Sequence, residues 1–164
     1  MGIAHSPIRS VVIGFVLGYA GSEYKEFRVF QRERHQGYAW LHMENAENSW
    51  RVRGLFAIVA SNRGAGYKEY ASAVMPLMQF AALQFVVVKL GPRAFEHADA
   101  FLEAAQLLNN YNYLNQQIES REAYRNAREG QINFMMNLDA EDRVIVNLAR
   151  GVDGAMRAVD SRIP

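Results

Sequence analysis

Four histidines and a cluster of three acids are the residues of this chain whose types best suit metal or acid–base chemistry. His5, His35, His42 and His97 show neither the His-Glu-x-x-His spacing of a zinc site nor the Glu-x-x-His pairs of a di-metal bundle. The acids of "DAED" (139–142) are typical of a helix start, where they stabilise the helix dipole. The chain contains no cysteine, which excludes disulfides, thiolate zinc sites and thiol nucleophiles. These patterns predict no catalytic residue, no metal and no cofactor.

A glycine-containing stretch, "NRGAGYKEY" (62–70), is the nearest approach to a phosphate-binding loop. It places two glycines ahead of Lys68 but matches neither the P-loop nor the dinucleotide-binding fingerprint. No Gly-x-Ser-x-Gly nucleophile elbow occurs in the sequence. We therefore interpret the stretch as a flexible turn and expect a protein that is not an enzyme.

The stretch "RVFQRERH" (28–35) contains four positive or potentially positive groups. In a helix, Lys25, Arg28, Arg32 and His35 follow one another at steps of three, four and three residues. Side chains with this spacing lie on one face of a helix. The spacing therefore predicts a basic stripe.

Two interpretations of this stripe remain open. Glu26 and Glu33 lie between the faces and could pair with the arginines, which would make the stripe an ordinary solvated surface. Alternatively, Tyr24, Phe27 and Phe30 point elsewhere and anchor the helix to a core, while the arginines contact a row of phosphates. Arginine suits that role because its planar fork binds phosphate oxygens bidentately.

Further basic residues follow in "SWRVRG" (49–54) and in the loop and helix after it. Residues 25–68 hold eight Lys and Arg against four acids, a concentration that could follow a nucleic-acid backbone without reading bases. The predicted nucleic-acid-binding residues are Lys25, Arg28, Arg32, Arg34, Arg51, Arg53, Arg63 and Lys68.

Composition fits a single folded domain of 164 residues, half of them hydrophobic. A chain of this length buries roughly 70% of its unfolded surface. The net charge of +1 conceals an uneven distribution, since residues 1–70 carry nine basic against six acidic groups and residues 94–142 carry nine acidic against three basic. Arginine outnumbers lysine fifteen to three, which favours phosphate contacts and interfaces.

The front half of the chain predicts short helices. "MGIAHSPIRS" (1–10) indicates an extended arm, since Pro7 disfavours helix at the residue before it. Residues 22–36 fit a helix with Ser22 as its N-cap, ended by Gly37. A second helix, 38–61 and broken near Gly54, and an apolar helix from about Tyr67 to Leu90 follow, ended by "GP" at 91–92.

The back half predicts an antiparallel helical hairpin. Residues 94–129 and a final helix capped by Asp139 each repeat apolar residues at alternating steps of three and four. The first seam comprises Phe101, Ala104, Leu108, Tyr111, Asn115 and Ile118, and the second comprises Ile145, Leu148, Val152, Ala155 and Val159. Asn115 would fix register or pair across an interface. The predicted interface residues are Phe101, Leu108, Tyr111, Asn115, Ile118, Ile145, Leu148 and Val152.

We accordingly predict one all-α domain over residues 1–164. Its parts are an N-terminal arm with an apolar segment (1–21), basic and apolar helices (22–93) and the hairpin (94–164). The alternative is an α+β fold, because "SVVIGFVLGY", "EFRVFQR" and "WRVRGLFAIVAS" show some alternation.

Two apolar runs raise a membrane-associated alternative. Residues 8–22 form a short, signal-like run with a Gly-x-x-x-Gly spacing, and residues 71–90 form a longer one interrupted by Pro76, Gln79 and Gln84. The first is well short of the roughly 20 residues needed to span a bilayer. We interpret both as core or subunit-interface helices, with a small membrane-associated or accessory subunit as the rival function.

Taken together, the arm, the short basic helices, the apolar middle helix and the hairpin resemble the major capsid proteins of filamentous and rod-shaped viruses of archaea. The resemblance covers the whole chain in architecture, size and composition. It implies a self-assembling coat protein of a virion that packs against copies or a paralogous subunit and wraps double-stranded DNA in A-form. One departure is the eleven Asn and eight Gln, which are thermolabile residue types. The phosphate contacts that the resemblance implies are Arg28, Arg32, Arg34, Arg51, Arg53, Arg63 and Lys68. A cellular counterpart would be cytoplasmic or membrane-associated.

Overall fold

The structure, a computed structural model, describes residues 7–65, 73–128 and 134–163. These residues contain helices and no strand, so the all-α prediction is confirmed and the α+β alternative is wrong for the described part of the chain. The elements are α1 (Pro7–Gly64), α2 (Ala81–Gln84, continued by a π-helix, Phe85–Leu90), a short 3-10 turn (Pro92–Ala94), α3 (Ala98–Arg128) and α4 (Phe134–Asp160).

The chain divides into two units, Met1–Gln36 and Gly37–Pro164. In the first unit, every side chain described from residue 18 to residue 29 is exposed. The second unit contains the core, built from the rest of α1, from α2 and from the α3–α4 hairpin. Burial is therefore concentrated after residue 36.

The prediction of two short helices separated at Gly37 is wrong, because α1 continues through Ser22, Gly37 and Gly54 without a break. Gly37 is buried, and a Cβ there would lie 3.0 Å from Val86 Cγ2 and 3.1 Å from Phe85 Cε1. The residue provides close packing between two helical segments instead of a turn. Helix termination by glycine is a local signal, and here tertiary packing outweighs its helix-propensity cost of about 1 kcal/mol.

The extended N-terminal arm is also corrected in part. Residues 7–10 belong to α1, and Pro7 occupies its first position, where a missing N–H costs nothing and the fixed φ favours a helix. Residues 1–6 of the predicted arm lie outside the described residues.

The predicted apolar helix 67–90 forms only from Ala81 onward. Residues 73–80, which we call the strap, have no helical structure. Pro76 explains the difference, because it lacks an N–H and disfavours helix at the preceding residue. The predicted stop at "GP" is confirmed, since Gly91 has a φ of 68° and ends the helical segment. The start of the predicted helix, 67–72, lies outside the described residues.

A three-helix core is formed by α3, α4 and the part of α1 after residue 36. Each helix buries side chains at alternating steps of three and four residues, as in a coiled coil. In α3 the buried row is Ala100, Ala104, Leu107, Tyr111, Leu114, Ile118 and Arg121, and in α4 it is Leu138, Asp142, Ile145, Ala149, Val152, Met156 and Val159. The predicted hairpin is confirmed, and α3 and α4 run antiparallel because Arg162 bonds Asp99 while Arg121 bonds Asp142.

Two clusters of buried polar residues connect the three helices by hydrogen bonds. Asp142 accepts hydrogen bonds from Arg121 Nε of α3 at 2.9 Å and from Asn62 Nδ2 of α1 at 3.3 Å. Near the other end, Asn45 accepts a hydrogen bond from the Tyr111 hydroxyl at 3.0 Å and donates one to Asp160. Burying polar groups is tolerated only when they are bonded in this way, so these pairs restrict the register of the helices.

Side chains also supply the hydrogen bonds of the strap, whose backbone has no strand partner in the described structure. Asn115 bonds both the N–H and the C=O of Met78, at 2.7 and 2.9 Å. Asn48, wholly buried, does the same for Gln79, at 2.9 and 2.6 Å. The strap is thus held between α1 and α3, and this is the pairing that Asn115 makes.

Candidate nucleic-acid interface

The residues suited to metal or acid–base chemistry are not gathered by the fold. Within the described ranges, no group of three or more His, Asp or Glu is arranged to hold a metal ion. The acids of "DAED" do not begin a helix as predicted, since α4 starts at Phe134, and two of them are in ion pairs. Asp139 pairs with Arg63 at 2.9 Å and Arg143 at 2.6 Å, and Asp142 pairs with Arg121. His5 lies outside the described residues.

The basic stripe in the first unit is formed as its spacing predicts. Lys25, Arg28 and Arg32 are exposed on the continuous helix α1. Arg28 lies over the Tyr24 ring, 5.9 Å from its centroid, and none of the three basic groups forms an ion pair with the residues that the structure describes. The stripe therefore presents charges whose attraction is not already satisfied within the chain.

An aromatic face adjoins this stripe and corrects a second prediction. Tyr24 and Phe27 were expected to anchor the helix to a core, but they are 63% and 58% exposed, and Tyr19 is 63% exposed. Phe30 is partly buried. The helix thus presents aromatic and basic side chains together on surface that the described part of the chain leaves uncovered.

The other predicted phosphate contacts have mixed environments. Arg51 donates to the carbonyl of Leu77 at 3.1 Å and lies 3.8 Å from Glu47, so it holds the strap against α1. Arg63 is paired with Asp139. Arg34 is partly buried and has interactions within the chain. These three have structural contacts that the sequence did not reveal, and Lys68 lies outside the described residues.

Arg53, on the second unit, has an exposed side chain that can still contact a ligand. Its guanidinium lies 4.3 Å from the centroid of the Trp50 ring, and Trp50 is itself 70% exposed. Arg53 and Arg157 of α4 both line a shallow groove of about 380 Å³ whose apolar wall includes Phe56. The guanidinium and the exposed indole form a cation–π contact, and such pairs occur in surfaces that bind single-stranded nucleic acid.

Sequence reasoning missed a second row of arginines on the outer face of α4. Arg143, Arg150 and Arg157 are exposed and recur every seven residues, roughly 10 Å apart along the helix. Arg143 and Arg157 are paired with the acids four residues before them, Asp139 and Asp153. The regular spacing was visible in the sequence, but the acidic residues nearby masked it in a count of net charge.

Glycines accompany this second row. Gly151 and Gly154 are exposed within α4, and a Cβ at either would meet nothing within 4 Å. Each lowers helix stability by about 1 kcal/mol relative to alanine, and packing inside the described chain does not require them. They leave open space beside Arg150 and Arg157.

The predicted interface residues lie mainly inside the hairpin. Tyr111, Ile118, Ile145 and Val152 are buried in the core of their own chain. The other members are partly buried at the edges of the seams: Phe101, Leu108, Asn115 and Leu148. The four buried residues therefore hold the fold together and offer no surface to another chain.

Several acidic residues of the hairpin are engaged within the chain. Arg162 contacts Asp99 at 2.6 Å and Glu103 at 3.0 Å, and its hydrogen bond lowers the pKa of Asp99. Glu122 accepts a hydrogen bond from Arg121 and forms an ion pair with Arg125, each at 2.8 Å. Asp99, Glu103 and Glu122 are therefore already paired with arginines of their own chain.

Within the described ranges, no helix combines the length and apolarity needed to cross a membrane. Comparison of the chain with protein-family models, curated proteins and solved structures finds no match in any of the three.

Proposed function

We propose that this protein is a structural, non-enzymatic subunit that self-assembles into a helical coat and binds the backbone of double-stranded DNA without sequence preference. The observation that carries the proposal is the surface of α1 between residues 18 and 36. Three exposed basic groups, Lys25, Arg28 and Arg32, have no ionic partner there in the described chain, and exposed Tyr24 and Phe27 lie beside them. In this proposal the coat belongs to a virion.

The aromatic side chains support assembly. Tyr24 and Phe27 remain more than half exposed on a helix whose neighbouring residues offer no core. Burying a large apolar side chain contributes about 1.5–3 kcal/mol, so covering both stabilises contact with a copy or a paralogous subunit. Exposed aromatic groups clustered on one element are typical of protein interfaces.

The basic side chains support phosphate binding. Coat proteins need contacts that do not depend on base sequence, and arginine provides them through charge and paired donors. Two surfaces carry such groups: the stripe on the first unit, and the α4 row of the second unit, Arg143, Arg150 and Arg157. Arg53 adds a stacking group to the second.

The test is the salt dependence of duplex binding. Replacing Arg28 and Arg32 together by glutamine removes two phosphate contacts, each worth about 0.9 in the slope of log K against log salt. We expect that slope to flatten by about 2 while circular dichroism remains unchanged. The control variant replaces exposed Lys89 and Arg93 by glutamine, which removes the same charge elsewhere. Equal flattening in both variants, or in neither, contradicts a specific role for the stripe.

A second candidate is peripheral membrane association, favoured by the same pairing of aromatic and basic side chains. A helix with Tyr24 and Phe27 beside Lys25 and Arg28 also suits the boundary of an anionic bilayer. Flotation with phosphatidylserine vesicles distinguishes the two functions. Vesicle binding combined with no retention of duplex DNA at the same salt would favour the membrane role, and the opposite result would favour the coat.

A further inference from the structure

The outer face of α3 has no charged side chain over several turns. Between Glu103 and Glu119 the sequence contains none, although this stretch includes the exposed side of a helix. Six of the exposed residues recur at steps of four and three, and we call them the uncharged face: Leu102, Gln106, Asn109, Tyr113, Gln116 and Ser120. Leu102 is 64% and Tyr113 50% exposed.

Such a face is unusual for a surface in contact with water. Exposed helix surfaces normally carry Lys, Arg, Asp and Glu, and the outer face of α4 in this chain carries three arginines. The centres of protein interfaces, by contrast, are depleted in charge and enriched in tyrosine. The composition of the uncharged face is therefore that of a surface that becomes buried.

We propose that the uncharged face binds the same face of a second copy of this chain across a two-fold axis. This inference rests on the proposed self-assembly and names one of its contacts. Each glutamine or asparagine amide both donates and accepts hydrogen bonds, so a row of amides is complementary to another copy of itself. The basic stripe of α1 is not a suitable partner, because its charges would be buried without counter-charges.

The spacing of the face is compatible with antiparallel pairing of two copies. The steps four, three, four, three, four are the same when read in either direction, with position 111 at the centre. When the two-fold axis is perpendicular to α3, the two helices are antiparallel, and each residue then meets its mirror position. Gln106 faces Gln116 of the second copy, Asn109 faces Tyr113, and Leu102 faces Ser120. None of the six positions is charged, so no like charges oppose each other within the face.

The first experiment changes the charge of one facing pair. In the variant Gln106→Lys with Gln116→Lys, two lysines oppose each other twice across the axis, and we expect self-association to weaken about a hundredfold. In Gln106→Lys with Gln116→Glu, opposite charges face each other and association is retained. The control, Ala57→Lys with Ala60→Lys, adds two charges on an exposed part of α1. Sedimentation velocity measures all four proteins, and circular dichroism checks that each is folded.

The second experiment uses the absence of cysteine from the chain to report the register directly. Asn109→Cys and Tyr113→Cys are made as separate full-length variants and mixed under mild oxidation. An antiparallel pair places the two thiols opposite each other, so we expect a disulfide-linked heterodimer in the mixture and far less cross-linking in either variant alone. Cross-linking of Asn109→Cys with itself would indicate a parallel pair and overturn the proposed register.

The two proposals fail in different ways. Wild-type protein that stays monomeric at high concentration contradicts the proposed assembly. Wild-type protein that assembles, with a double-lysine variant that assembles equally well and no cross-link in the mixture, contradicts only the proposed contact through α3. Loss of association in both double variants of Gln106 and Gln116 also counts against the contact, because the Lys–Glu pair is meant to preserve it.

Discussion

Arg121 and Asp142 form an ion pair that is almost completely removed from water. Arg121 Nε donates to Asp142 Oδ1 at 2.9 Å, and the two side chains are 1% and 0% exposed. Both residues occupy positions in the buried rows of α3 and α4 that would ordinarily be apolar. The pair therefore fixes the alignment of α3 and α4, because any other alignment would leave a buried charge without its partner.

Replacing Asp142 by alanine leaves the Arg121 guanidinium buried with only Glu122 as a described carboxylate partner. Removing one member of a buried ion pair costs about 3–5 kcal/mol. We expect a loss of this size in the free energy of unfolding, measured by urea denaturation followed by circular dichroism.

The matched control replaces both members of the pair, Arg121→Met with Asp142→Leu. Because no charge remains buried, we expect a stability within about 2 kcal/mol of the wild type. A double variant as unstable as Asp142→Ala would mean that the ion pair itself stabilises the fold. The loss in Asp142→Ala would then not be due mainly to an unpaired buried charge.

Tyr111 gives the protein a defined sensitivity to alkali. Its hydroxyl is buried and donates to Asn45, and burial raises its pKa well above the usual value of 10.0. The folded state therefore keeps a proton that the unfolded chain releases above pH 10. The contribution of Tyr111 to the free energy of unfolding is fully present below pH 10. Above that pH it falls by about 1.4 kcal/mol per pH unit.

The variant Tyr111→Phe tests this dependence. At neutral pH we expect a loss of about 1–3 kcal/mol, because Asn45 loses the donor to its buried oxygen. Above pH 10 the contribution of Tyr111 to the fall in stability is removed, so the curves of variant and wild type converge. Tyr19→Phe, at an exposed position, is the control, and an identical flattening in that variant contradicts the assignment to Tyr111.

The strap depends on two amide side chains. Asn48→Ala and Asn115→Ala each remove two hydrogen bonds to strap backbone that has no strand partner in the described structure. Each lost pair leaves polar groups unsatisfied, and we expect losses of about 2–4 kcal/mol. Hydrogen exchange at Met78 and Gln79 provides the specific measurement, and Asn112→Ala, on the exposed side of α3, should leave it unchanged.

The hairpin could be predicted because its signal is repeated along each helix. Alternating steps of three and four residues from Ala104 to Ile118 and from Ile145 to Val159 are sufficient to place a buried row. The predicted row of α3 was centred slightly to one side, since Leu107 and Leu114 are more deeply buried than Leu108 and Asn115. Periodicity identifies a face, whereas its centre depends on the partner helices.

The candidate site could be predicted only as a set of charges. Sequence shows that Arg51, Arg63 and Arg28 are basic, but not that the strap and Asp139 engage the first two. It also did not reveal the α4 row that contains Arg150, because acids close in sequence cancel the charge of that row in a net-charge count. Which charges stay available depends on partners distant in the chain, and a composition count does not contain that information.

Gly37 and Gly151 lie in helices and predict opposite effects of the same substitution. At Gly37 an added methyl group meets Val86 and Phe85 at 3.0–3.2 Å, so the cost of overpacking, about 1–3 kcal/mol, exceeds the gain in helix propensity. At Gly151 the methyl group meets nothing, and we expect Gly151→Ala to stabilise the protein by about 0.5–1 kcal/mol. Thermal unfolding of both variants measures the difference. If Gly151→Ala raises stability and also weakens duplex binding, the space beside Arg150 serves the ligand; if it raises stability with binding unchanged, that glycine has no part in the interface.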